Sequence, residues 1–213
     1  AVNSQAASVG LGWNLSAGQG FIERRYLPCN DTRIGGGTTD SCWYVQNATI
    51  SLNGHAGELI PVDSSTGAAP NTFMKFRVKD DPDWLVERFN SLPGDWWTSE
   101  YWKVTTPEGM IYWFGRNDES QNSRLKRPLR GIHTGDPCNL RTDMMCNDMP
   151  YRWMLDKVED PYGNVMKFQY WLEQNKARTV GDSTKPMQYD LGAYLTDIYY
   201  GKTPNASPAI GYR

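Results

Sequence analysis

The chain has 213 residues, with 22 basic against 24 acidic side chains and a net charge of -2, which suits one large domain or two small ones, either able to bury a core unaided. A pI near 5.7 lacks the basic excess of a nucleic-acid binder, and a mean hydropathy of -0.64 leaves no run of the ~18 apolar residues that a membrane helix needs. At 13% aromatic and 22% charged, with 9 Trp and 12 Tyr, the composition fits neither a disordered chain nor a coiled coil.

The opening carries no basic segment followed by an apolar run, so no signal peptide is read there. It is instead glycine-rich: Gly10-Leu11-Gly12-Trp13, then Gly18-Gln19-Gly20. Phe21–Tyr26 reads as a strand. Cys29 and Cys42 follow, enclosing the loop formers Asn30-Asp31-Thr32 and Gly35-Gly36-Gly37. Trp43–Leu52 is a further strand, closed by the hairpin dipeptide Asn53-Gly54, with Glu58–Val62 as its partner.

The plainest unit is Glu100–Gly115. Trp102, Val104 and Thr106 alternate onto one face, and Tyr101, Lys103 and Thr105 onto the other. Pro107-Glu108-Gly109 turns the chain, and Met110–Phe114 returns. A second unit repeats the plan: strand Tyr151–Val158, turn Asp160–Asn164, return strand Val165–Trp171. The two form a weak hairpin repeat over 100–115 and 151–171, each with Pro-x-Gly and a Phe five residues beyond the Gly. Tyr194–Tyr200 is a last strand. Helical periodicity is scarce, so the reading is mainly β, with antiparallel sheets built from consecutive hairpins and residues 1–213 taken as a single all-β unit. The segments 63–72, 116–150 and 174–190 are left as long polar loops, which in compact domains usually bind something or pack on another part.

The four cysteines allow three pairings, which sequence does not decide. Local bridges Cys29–Cys42 and Cys138–Cys146 are the simplest, each pinning one polar loop. Free buried thiols and a zinc site are the rivals, but there is no Cys-x-x-Cys knuckle and no nearby His pair. Disulfides imply an oxidising location, secreted or cell-surface.

An ordered series of segments resembles the opening of secreted bacterial RHS/YD-repeat proteins, whose relatives include the SpvB-like start of the Tc-toxin B component. It begins with Gly10–Leu15 and Gly20–Tyr26, then Cys42-Trp43, Asn47–Gly54 and Gly57–Leu59. It continues with Tyr101–Gly109, Tyr112–Asn117, Gly135–Cys138, Trp153–Asp156, Asp160–Asn164 and Tyr194–Gly201. The resemblance implies a segment of a long β-sheet that spirals into a hollow shell around an effector. It implies no catalysis and no cofactor. The implied partner is the remainder of the same polypeptide or a C-terminal effector. The chain is far shorter than such a shell and lacks tandem Tyr-Asp repeats, so a fragment or processed piece is expected. A sheet cut from its neighbours leaves an edge, expected near Tyr194–Tyr200, that either self-associates or is covered by the tail 202–213.

Two other chemistries compete with this reading. Trp96, Trp97, Tyr101, Trp102 and Trp113 form a dense aromatic cluster that could stack on a sugar, making a cell-surface glycan a further candidate partner, although core packing explains the same residues. Glu58, Glu100 and Glu108 are candidates for the paired carboxylates of a glycoside hydrolase. Asp80-Asp81-Pro82-Asp83 lacks the remaining ligands of a calcium loop. The two His, His55 and His133, stand alone in sequence, and the basic stretch Lys126, Arg127, Arg130 and Arg141 reads as a solvated loop.

Overall fold

The computed structural model describes residues 20–45, 47–62, 74–79, 83–90, 97–139, 145–178, 186–202 and 210–212. The Gly10–Leu15 motif, Trp96, Arg141, Asp80-Asp81 and loop 63–72 lie outside them. Fourteen strands make up the regular structure of the described residues. They begin with β1 (Gly20–Glu23), β2 (Leu27–Pro28), β3 (Ser41–Cys42), β4 (Ala48–Leu52), β5 (His55–Pro61), β6 (Met74–Val78) and β7 (Leu85–Asn90). The remainder are β8 (Glu100–Thr105), β9 (Ile111–Phe114), β10 (Arg124–Arg130), β11 (Met145–Glu159), β12 (Val165–Ala177), β13 (Met187–Lys202) and β14 (Ile210–Tyr212).

Eight of these strands close on themselves. The chain of neighbours runs β1-β4-β5-β6-β7-β8-β9-β11, and β11 pairs back onto β1, with Met154 opposite Phe21. Met154 donates its N–H to Ser123 O and accepts from Gly115 N on one edge of β11, while β1 lies along the opposite edge. All eight pairings are antiparallel. A barrel of about eight strands has an interior just wide enough to be filled by side chains, and this one is filled. Ile22, Ile50, Leu52, Phe76, Val86, Trp102, Val104, Phe114 and Trp153 are each no more than 2% exposed. Strand alternation delivers them: β6 reads Met-Lys-Phe-Arg-Val, with Met74, Phe76 and Val78 buried and Lys75 and Arg77 exposed.

Both Pro-x-Gly hairpins form where expected, as β8–β9 and β11–β12, with Gly109 at φ 82° and Gly163 at φ 83°, the left-handed region that Gly enters without steric cost. Gly115, directly after β9, is also left-handed, at φ 64°, and has a second reason to be Gly. A Cβ built there would sit 2.3 Å from Trp153 Cδ1, so the backbone approaches the indole as only Gly permits.

Three expectations need correction. The strand drawn over Trp43–Leu52 is broken, with β3 ending at Cys42 and β4 starting at Ala48. The long loop 116–150 contains β10, whose register on β11 shifts between Arg127 and Leu129, where Pro128 has no N–H for the ladder. The loop drawn over 174–190 is strand at 174–177 and at 187–190. Two strands, β12 and β13, run on past the barrel as one long hairpin, with pairing extending to Ala177 opposite Met187. The edge expected near Tyr194–Tyr200 is partly covered by the tail, since β14 pairs with Ile198, Tyr199 and Tyr200.

Candidate functional site

One end of the barrel is closed by a buried ion pair. Arg24 follows β1 directly and Glu100 opens β8, and their guanidinium and carboxylate meet in a two-pronged contact at 2.9 and 3.1 Å. Their side chains are 1% and 0% exposed. The Arg24 guanidinium is flanked by the rings of Trp43 and Trp153, each 5.1 Å from its carbon. Trp153 Nε1 donates to the Glu100 carbonyl at 2.8 Å. Burial alone would weaken the Arg24 charge, but the Glu100 carboxylate and the Tyr26 phenol outweigh it and hold Arg24 above its usual range. The Tyr26 hydroxyl is pushed up to about 12, chiefly by burial. Nothing in the chain order signals this pair, because its members are 76 residues apart.

The carboxylates proposed from sequence occupy three different settings. Glu100 is committed to Arg24 inside the barrel. Glu58 is exposed on β5, 3.8 Å from Lys79. Glu108 lies in the β8–β9 turn, its acidity raised first by a hydrogen bond from the Thr106 side chain. Two carboxylates flanking one sugar, the requirement of glycoside hydrolysis, are not what this arrangement offers.

The aromatic candidates divide in the same way. Trp102 is 0% exposed and packs edge-on against Trp153 at 5.8 Å, beyond the reach of any sugar. Trp97 is set against Trp43 at 4.7 Å, beneath Arg88. Tyr101 and Trp113 do come together, 6.2 Å apart on the barrel's outer surface, with Phe89 stacked on Tyr101. The Arg116 guanidinium already lies 4.4 Å from the Trp113 ring centre, and Lys103 and Lys157 crowd the same ring.

Other sequence candidates are scattered. His55 meets the edge of Trp84, and His133 Nδ1 lies 3.3 Å from Asp136. Arg127 covers the Tyr151 ring, and Arg130 pairs with Asp40. No group of three or more His, Cys, Asp or Glu side chains placed to hold a metal exists among the described residues. Both disulfides are local, Cys29–Cys42 and Cys138–Cys146. They pin the loops around β2, β3 and β10.

A buried carboxylate that the sequence did not single out as a site residue is Asp156. It occupies a bulge in β11, where Phe114 faces Leu155 but Trp113 faces Lys157. Its Oδ2 accepts the Asn117 N–H and the Ser123 hydroxyl, both at 2.7 Å, anchoring the loop between β9 and β10. Burial pushes the carboxyl up to about 6 against the pull of those two hydrogen bonds. Asn117, Ser120 and Asn122 in this loop all take left-handed φ values of 56–59°.

A closed antiparallel barrel with a long appended hairpin is compared most directly through its family. The family model described as Salmonella virulence plasmid 65kDa B protein, SpvB, matches residues 77–211. The chain belongs to the SpvB family. Among solved structures, this SpvB-family chain is similar to a TcdB2-TccC3-TEV structure at 17% identity and a TM-score of 0.51, with 92% of this chain and 8% of that chain covered. The Photorhabdus luminescens Tc holotoxin pore, in its TccC3-D651A form, gives 18% identity and a TM-score of 0.50 over 93% of this chain and 8% of that one. The N-terminal domain of the effector SpvB from Salmonella typhimurium strain LT2 gives 14% identity and a TM-score of 0.48 over 89% and 52%. The chain thus spans less than a tenth of the toxin chains it matches. No curated protein matches the sequence.

Proposed function

We propose that this SpvB-family chain is a non-catalytic wall segment of an RHS/YD-type toxin, folding as one unit over 1–213, that helps enclose, present or deliver an effector. Its partner on this reading is the remainder of the same polypeptide or a C-terminal effector. The observation that carries it is the contrast between barrel and hairpin. Among the described residues the barrel strands close on one another, and the Arg24–Glu100 pair at one end is buried. Beside it, the outer-edge ladder of β13 on β14 covers Ile198–Tyr200 among the described residues, and we take the stretch Leu191–Thr196 as the place where further strands add. The similarity over an 8% share of a much longer toxin chain is consistent with such a segment. The two disulfides suit an oxidising location, and secretion or surface display follows from that.

The test is protease protection of the effector within the full toxin. With this segment intact, the effector should resist digestion; with the β12–β13 hairpin excised, it should be cut rapidly. Equal protection in both would overturn the proposal.

A further inference from the structure

We propose that the groove between β10, the start of β11 and the β12–β13 hairpin binds a neutral saccharide. It encloses about 370 Å³, within the roughly 300–1,000 Å³ of small-molecule sites. The site is separate from the Trp96–Trp113 aromatic cluster and stands independently of the wall-segment reading.

Its walls are held by groups that are already committed. The Arg124 guanidinium donates to the carbonyls of Gly115, Thr98 and Arg116. Asp190 Oδ2 accepts the Lys126 N–H at 2.7 Å and its Oδ1 accepts Gln174 Nε2 at 2.8 Å, tying the hairpin to β10. Asn122 Nδ2 donates to Tyr170 O at 3.1 Å. These bonds make the cavity rigid before any ligand arrives, which reduces the ordering cost of binding.

A second set lines the same groove with its polar atoms uncommitted. The side chains of Lys126, Asn147, Asp148, Gln188 and Tyr189 make no hydrogen bond or ion pair among the described residues. Lys126, Gln188 and Tyr189 hold paired positions in their ladders, and Asn147 and Asp148 lie at the register shift of β11 opposite Pro128. Amide side chains present a donor and an acceptor side by side, which is what sugar hydroxyls present in return. Leu172 supplies a limited apolar surface against which the C–H face of a sugar ring packs.

Charge selects against the alternatives. Arg124 and Lys126 are matched by Asp148 and Asp190, so the lining carries no net charge to favour an anion or a cation. The one guanidinium already commits three of its five N–H donors to carbonyls, which disfavours a two-pronged clamp on a phosphate or carboxylate. With Leu172 as its apolar lining, the groove is equally unsuited to a wholly apolar ligand.

The experiment applies the 213-residue chain to an array of neutral, sialylated and sulfated glycans, with Asn147→Ala/Gln188→Ala as the groove variant and Trp171→Ala as a control. Asn147 and Gln188 are exposed, so the double variant should keep the parent's melting temperature. Retention of neutral glycans by the parent and the control, cut at least tenfold in the double variant, supports the site. The proposal is overturned by no retention of any neutral glycan, by retention of charged glycans alone, or by undiminished retention in the double variant.

Discussion

The barrel and the flank beside it solve the same problem in opposite ways. In the barrel, each strand has a neighbour on both sides among the described residues, and the interior is filled by indoles and aliphatic side chains. On the flank, β2, β3 and β10 are short or bulged, and they are held by two disulfides, by side chains standing in for strands, and by the Asp190 carboxylate that takes a β10 N–H. A closed sheet needs only consistent alternation. An open one must be secured point by point, and those points are where polar groups are left over to meet something else.

The comparison breaks most visibly if the barrel's buried charge is orphaned. Glu100→Gln should leave Arg24 without a counter-charge and cost about 3–5 kcal/mol, read as a large fall in the denaturation midpoint. Replacing both partners by apolar residues should recover much of it. A loss below about 1 kcal/mol for the single change would mean that the pair is hydrated after all.

Reduction should strike the flank and spare the barrel. Loops of 13 and 8 residues correspond to roughly 2.5–3 kcal/mol each in the chain-entropy model. Hydrogen exchange under reductant should therefore quicken around residues 27–42 and 129–146, while β7 and β8 stay protected. Uniform loss across both regions would show that they fold as one inseparable unit.

Between them sits Asp156, whose loop joins the barrel strand β9 to the flank strand β10. Its folded carboxyl lies at about 6, above the ordinary 3.8, so the folded chain binds the proton more tightly than the unfolded one. This residue's contribution is therefore fully present below about pH 4 and lost as pH rises through 6, a span on the order of 2–3 kcal/mol. Asp156→Asn should flatten the stability profile between pH 4 and 7. An unchanged slope would assign the dependence elsewhere.

The smallest effect is expected on the hairpin's open face. Trp171 is 57% exposed and rests against its cross-strand partner Tyr194 with ring centres 5.7 Å apart. Trp171→Ala should cost only about 0.2–1 kcal/mol in the isolated chain, measured by urea denaturation.

What could be read in the sequence was local. The hairpins at Pro107–Gly109 and Pro161–Gly163 need only a turn and two alternating runs, and both are present. The alternation of β6 is equally available in the sequence, but it lies beside Asp80-Asp81-Pro82-Asp83 and the reading above assigns no element there. The basic residues and Pro128 of β10 disguised a strand whose irregularity is real, since its register slips there. Closure of β1 onto β11, the Arg24–Glu100 pair and the groove lining depend on residues far apart in the chain. They arise only once the sheet curls, and no spacing rule anticipates them.

The double duty of β11 also dictates an order of assembly. Its 15 residues border β1, β9, β10 and β12 in turn, and Phe21, already opposite Ser51 on β4, finds its second partner only when Met154 exists. On a ribosome moving at ~5–20 residues per second, β1 waits on the order of ten seconds with one flank bare. Seven strands must meanwhile remain a curled ribbon with two raw margins. A chain interrupted before residue 145 would keep both margins for good, and the hazard for such a nascent product is sticking to its neighbours rather than failing to form hairpins.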